Sequence, residues 1–206
     1  MIQPPLPRSR LEALTDGIFA VTMTLLVLDL HIPEPSHAAL VDDVAALVDR
    51  LDNYAISFVV LAVFWIGHLR MMRRMREPDT GFAALNLAFL LFTTLVPPLT
   101  TLLGDHPAMP RAAVLYGGNL LLILACETLM WQRICNHLSN ETVAEPAAVW
   151  RMVRRRYGFA IAVVICGIAA ALFEIGLGSS RGLSAWIYLL LLAAGVMRPP
   201  LHGALR

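Results

Sequence analysis

Hydrophobic positions along this chain fall in long blocks rather than in short alternating runs. Six apolar stretches stand out, at about residues 10–31, 50–72, 80–103, 111–133, 154–176 and 182–198. Each approaches the roughly 20 mostly apolar residues that a helix needs to cross a hydrocarbon core about 30 Å thick. The pattern predicts an all-α integral membrane protein, with six transmembrane helices in a single domain over residues 1–206. The third stretch is the cleanest span, without a charge from Thr80 to Gly104. Pro97 and Pro98 should end or kink it near its far side, because proline removes a backbone donor and clashes with the preceding turn. Pro199 and Pro200 stop the sixth stretch in the same way. The connections are short, the longest running from about Pro33 to Asp49, and its Asp42–Arg50 portion has the spacing of a helix that leads straight into the second span.

The first stretch breaks the pattern. Only twelve uncharged residues separate Asp16 from Asp29, roughly 18 Å of helix at about 1.5 Å per residue. A helix this short in apolar length suits the interior of a bundle, or a place beside water, better than lipid along its whole length. It also has a face. Ile18, Val21, Leu25 and Leu28 follow i, i+3, i+7, i+10 spacing and form one stripe, with Thr24 beside it. Thr15, Asp16 and Thr22 fall on the other side, where they can bond to neighbouring helices. An aliphatic stripe taken alone is ordinary helix packing, and the short apolar length does not decide between a core and a pore.

Composition agrees with the membrane class. Hydrophobic residues make up 58% of the chain and charged residues 15%, with a mean hydropathy of +0.67, where soluble domains carry about 25% charged residues. A net charge of +1 gives no footprint for a nucleic-acid partner. Every basic residue is Arg, and their positions set an orientation. With a cytoplasmic N-terminus, thirteen fall inside (8, 10, 70, 73, 74, 76, 133, 151, 154, 155, 156, 198 and 206) and only Arg50, Arg111 and Arg181 outside. That asymmetry obeys the positive-inside rule for six spans with both termini cytoplasmic. Cys126, Cys135 and Cys166 are odd in number, lie in or beside apolar runs and form no CxxC pair, so they read as reduced structural thiols. No signal-peptide pattern precedes the first span, and the N-terminus is expected to be retained.

Enzyme chemistry finds no support. There is no HExxH, no Cys/His metal spacing, and no GxSxG or phosphate-cradling glycine loop. The six His residues are scattered. Glu127 lies inside the fourth span, about 9 Å along the helix from Arg133, and is expected to pair with an Arg on the cytoplasmic side.

The run from Arg10 to Asp29 resembles the signature of the transmembrane protein 175 family of potassium channels. The family motif reads Arg, three residues, Phe-Ser-Asp; here Arg10 and Asp16 match, Leu14 stands for the Phe and Thr15 for the Ser. Phe-Trp-Ile-Gly-His over 64–68 resembles the family's second helix. Leu85-Asn86 onward to Pro97 and Pro98 resembles the third, and Leu115-Tyr116 with Asn119 the fourth. The last two stretches match only as generic apolar spans.

The resemblance implies a homotetramer with the first helices lining a central pore. By position, Val21 would form the narrowest ring, Leu25 and Leu28 further hydrophobic layers, and Thr24 a hydroxyl layer. Such a constriction passes an ion that gives up part of its hydration shell, and closes by dewetting. Potassium, which holds water less tightly than sodium, is the implied permeant ion, and no cofactor, resident metal or small-molecule substrate is expected. The family more often has Ile or Leu at the narrowest position, so Val21 implies a slightly wider hole. Arg10, Leu14, Thr15 and Asp16 with Trp65, His68 and Asn86 carry the motif and read as a scaffold that holds the first helix in register. Two alternatives stand for single members: Asp16 as a solvated helix end, and His68 as a proton sensor.

The implied protein is a potassium-permeable cation channel in a cell membrane of bacterial plasma-membrane type. A small secondary transporter is a rival, although such proteins tend to show repeated halves and helices broken at the midplane, and neither is visible here. A proton-leak channel is the other.

Overall fold

In a computed structural model, the structure describes residues 7–28, 40–75, 77–105, 109–140 and 146–177. These residues form helices α1 (Arg8–Leu28), α2 (Leu40–Met72), α3 (Thr80–Thr94), α4 (Val96–Asp105), α5 (Pro110–Asn140) and α6 (Pro146–Leu177). Five stretches are long and apolar enough to cross a membrane: α1, residues 54–72 of α2, α3 together with α4, residues 110–136 of α5 and residues 150–177 of α6. The sixth expected span, at 182–198, lies outside the described residues, as do the C-terminus and the acidic positions Asp29 and Glu34. The helix expected to run into the second span is continuous from Leu40, so α2 is longer than its apolar part.

The start signals are local. Asp79 caps α3, its Oδ1 accepting from the Phe82 backbone N–H at 2.6 Å. Pro110 and Pro146 open α5 and α6, where the missing N–H costs no helical hydrogen bond.

The third span is broken earlier than its prolines. The sequence places the kink at Pro97 and Pro98; the helix instead ends at Thr94, with Leu95 between α3 and α4 and both prolines in the first turn of α4. Proline at 97 and 98 cannot donate to the carbonyls four residues back, at Thr93 and Thr94, so the helical ladder fails on the N-terminal side of the pair. The carbonyls at the break are partly taken up by others. Phe92 O accepts from the Leu95 N–H at 3.2 Å and from Asn119 Nδ2 of α5 at 3.0 Å. The break is thus partly closed by a side chain from a neighbouring helix, which satisfies a carbonyl that a membrane span could not leave unpaired at low cost.

Helix α1 packs against α2, α3 and α4, while α5 packs against α3, α4 and most extensively α6. The core between them includes Phe19 and Leu26 of α1, Leu61, Phe64 and Met71 of α2, Phe82 and Phe89 of α3, and Leu120, Ile123 and Met130 of α5. Lipid tails are as apolar as these side chains, so close packing and interhelical hydrogen bonds hold the bundle more than hydrophobicity does. At one end of the bundle, Arg8 donates to the Met75 carbonyl at 3.2 Å, and Arg133 of α5 pairs with Asp79 at 2.8 Å. The guanidinium of Arg133 lies where a side chain on Gly81 would stand, so glycine there is what admits the pair.

Candidate functional site

Helix α1 is divided sharply by face. Thr15, Phe19, Thr22 and Leu26 recur at helical spacing and are buried against the subunit. Val21, Leu25 and Leu28 are exposed on the other side, by 56%, 42% and 72%, with Thr24 also exposed and Ile18 half-buried. Of the five spanning stretches, α1 has the smallest buried share. The described helices of one subunit therefore leave this face of α1 open, and the interior place suggested by its short apolar length is not supplied by them.

Two threonines in the C-terminal half of α1 differ in setting. Thr22 is buried and donates to the Ile18 carbonyl at 2.7 Å. The Thr24 hydroxyl donates to the Val21 carbonyl at 2.8 Å on the exposed face. Its hydrogen is thereby directed to the backbone, and the oxygen lone pairs remain available to another group.

Behind the buried face, side chains from three helices converge. Trp65 Nε1 of α2 donates to Asp16 Oδ1 of α1 at 2.8 Å. His68 Nε2, also of α2, lies 2.8 Å from Asn86 Oδ1 of α3. Asn86 Nδ2 then donates to Thr15 Oγ1 at 3.1 Å. The Asn86 carbonyl can only accept, so in this pair the imidazole carries its proton on Nε2. Thr15, Asn86 and His68 are all 1% exposed or less. Five of the seven motif residues thus engage one another across α1, α2 and α3, in two neighbouring hydrogen-bonded sets, Trp65–Asp16 and His68–Asn86–Thr15.

The other two do not join them. Arg10 is exposed, and among the described residues no hydrogen bond or ion pair engages its side chain. Arg8, two positions earlier, instead reaches Met75 O and pairs with Glu12 at 2.7 Å. Leu14 is 43% exposed, on the same side of α1 as the aliphatic stripe.

Some participants were not singled out from the sequence. Phe89 stacks on the His68 ring with centroids 5.6 Å apart and planes 9° apart, and meets Phe19 at 5.8 Å. Its position three residues after Asn86, on the same face of α3, was the available signal. Glu127 is buried as expected for an ion-pairing residue inside a span, but Arg133 is engaged with Asp79. The guanidinium near Glu127 is that of Arg156, on α6. All three cysteines are free, with Cys126 and Cys135 buried and Cys166 exposed.

Residues 10–97, which hold α1, α2 and α3 with the network between them, match the family model described as the endosomal/lysosomal potassium channel TMEM175. Among similar proteins is a potassium channel of Chamaesiphon minutus, 33% identical over 129 residues, or 60% of this chain and 64% of that one. A potassium channel of Streptomyces collinus is 27% identical over 175 residues, 79% of this chain and 84% of the relative. The human endosomal/lysosomal proton channel TMEM175 is 29% identical over 105 residues, 47% of this chain but only 21% of that protein. The match to the Chamaesiphon relative thus spans just under two thirds of its length. In fold, the chain is similar to the crystal structure of a lysosomal potassium-selective channel TMEM175 homolog from Chamaesiphon minutus. The TM-score is 0.75 at 25% identity, covering 91% of this chain and 95% of that one. The signature helix, the relatives and the fold thus agree in their likeness to the TMEM175 family, a family of ion channels rather than enzymes.

Proposed function

We propose that this protein is the subunit of a homotetrameric, potassium-permeable cation channel, with both termini cytoplasmic and a sixth span at 182–198, in a bacterial-type plasma membrane. One observation carries the reading: α1 is pinned on one face by a three-helix polar network, while its aliphatic stripe faces out of the subunit. Four such stripes turned toward a common axis enclose a path that one subunit cannot form. Heterologous contacts between identical subunits close into a ring of this kind. The similarity to chains named potassium channels supports the same conclusion.

In this reading Val21 forms the narrowest ring, and Leu25 and Leu28 extend the apolar path. An aliphatic ring offers no ligand, so an ion crosses only after shedding part of its water, and the ring closes by dewetting. Potassium sheds water more readily than sodium. Thr24, its hydrogen committed to the Val21 carbonyl, presents only oxygen lone pairs toward a cation, which substitutes for lost water. The network behind α1 keeps the four stripes at equal depth.

The decisive experiment reconstitutes the purified protein in liposomes and imposes potassium and proton gradients separately. Potassium-driven flux with unitary currents in planar bilayers is expected; saturable flux without unitary currents indicates a carrier instead. The vertebrate relatives named proton channels support a second outcome, in which protons permeate too, and the proton-gradient arm reads it directly.

A further inference from the structure

Glu127 is a buried ionisable residue that the pore reading leaves unused. It sits in the middle of α5, 2% exposed, and its Oε1 has no hydrogen-bond partner. A charge-bearing group at such a depth needs a partner or a purpose. Its surroundings come from two other helices. A methyl placed on Gly67 of α2 would lie 3.2 Å from Glu127 Oε1, 3.8 Å from Arg156 Nη2 and 3.9 Å from the Tyr157 hydroxyl of α6. The three polar groups therefore converge on the one point of α2 that has no side chain.

The far side of this cluster is held between α5 and α6. Trp131 Nε1 of α5 donates to the Tyr157 hydroxyl at 3.1 Å, and the Arg156 guanidinium lies 5.8 Å from the Tyr157 ring centroid. Helices α5 and α6 pack along each other more extensively than any other pair. The near side leads to α1. Gly67 lies between Trp65 and His68, the two residues through which α2 grips Asp16 directly and Thr15 by way of Asn86.

The structure assigns Glu127 as a positioning residue for the pore helix: its carboxyl group, set between α5 and α6, is the seat against which α2 rests at Gly67. The depth of that seat sets where Trp65 and His68 hold α1. An alanine methyl at position 67 would stand 3.2 Å from that oxygen, close enough that the carboxyl or α2 gives by a few tenths of an ångström, and a shift of α2 reaches α1 through Trp65–Asp16 and through His68–Asn86–Thr15. This role rests on the channel reading for its effect on conduction, but not for the contact itself.

A double-mutant cycle tests it on the full-length protein in liposomes and in detergent. Gly67→Ala is expected to change the potassium-over-sodium permeability ratio by about twofold or more, the scale of coupling carried through packed elements. In a Glu127→Ala background, where the carboxyl group is gone, the same Gly67→Ala change is expected to leave the ratio where Glu127→Ala alone puts it. Hydrogen–deuterium exchange of α1 is measured alongside and needs no conduction. Gly67→Ala is expected to speed it in the native background and not in the Glu127→Ala one. Equal effects of Gly67→Ala in both backgrounds, or none in either, overturn the assignment. If no variant conducts while exchange still shows the coupling, the channel reading fails and the seat stands. If the permeability ratio is uncoupled although exchange is coupled, Glu127 seats α2 without setting the pore, and the positioning role is overturned.

Discussion

The indole of Trp65 donates to the Asp16 carboxylate at 2.8 Å, tying α2 to the mouth of α1 across 49 residues of sequence. That one bond turns an acidic residue at the edge of a membrane helix from a liability into an anchor. It also fixes which face of α1 looks back at its own subunit.

Removing the donor tests the anchor. Trp65→Phe keeps the ring and loses the N–H, and is expected to cost about 0.6–2 kcal/mol, the range for polar contacts between membrane helices. The unfolding midpoint in detergent should fall by a few degrees, about 2–4 °C per kcal/mol for a chain of this size. An unchanged midpoint means that Asp16 is held by solvent alone.

Asn86 should matter more. It is fully buried and bonds both Thr15 and His68, neither of which reaches water. Asn86→Leu fills similar space but strands two buried polar groups, at about 1–3 kcal/mol each. The expected loss of thermal stability exceeds that of Trp65→Phe, and a smaller loss means that the network is not what holds α1.

Val21 offers the functional counterpart. Val21→Ile adds one methylene to a side chain that is 56% exposed in the subunit, so the unfolding midpoint should barely move. The potassium-over-sodium ratio from bi-ionic reversal potentials should rise. An unchanged ratio shows that Val21 is not the constriction.

Thr24→Val preserves shape and removes the hydroxyl oxygen. Unitary potassium conductance is expected to fall while the protein remains folded, because the Thr24 hydroxyl bonds only the Val21 carbonyl of its own helix among the described residues. Conductance equal to that of the native protein removes Thr24 from the ion path.

Asp79 separates two stabilising contacts. Asp79→Asn keeps the cap on Phe82 N–H but weakens the pair with Arg133, a bond whose partners are 41–43% exposed and which is worth about 0–1 kcal/mol. Asp79→Ala loses both, with about 1 kcal/mol for the cap. Thermal unfolding should therefore rank Ala well below Asn, and an equal loss in the two variants assigns the stability to the ion pair.

Much of the candidate site is legible in the residues themselves. The stripe of Val21, Leu25 and Leu28 and the opposing Thr15 and Thr22 follow from helical periodicity, which needs no knowledge of neighbours. The expected stretches from 80 and 111 begin within a residue of α3 and α5, whereas α6 begins at Pro146, eight residues before the expected 154. Three particulars could not be read this way. Arg8 rather than Arg10 reaches Met75, because rotation of a helix end by two residues decides which side chain meets the next turn. Thr94 rather than Pro97 ends α3, because proline breaks the ladder at the carbonyls behind it. Which Arg stands near Glu127 is the third: it is Arg156 of α6, while Arg133 pairs with Asp79.

By itself, then, the sequence determined the helical spans among the described residues, the two faces of α1 and the residue types able to anchor it. Those properties depend on spacing within one helix. Only the tertiary structure decided which partners meet: Trp65 with Asp16, Asn86 with both Thr15 and His68, Gly67 beneath Glu127. Such pairings join residues up to 71 positions apart. They are set by how helices pack in a medium that offers no water to satisfy a misplaced polar group.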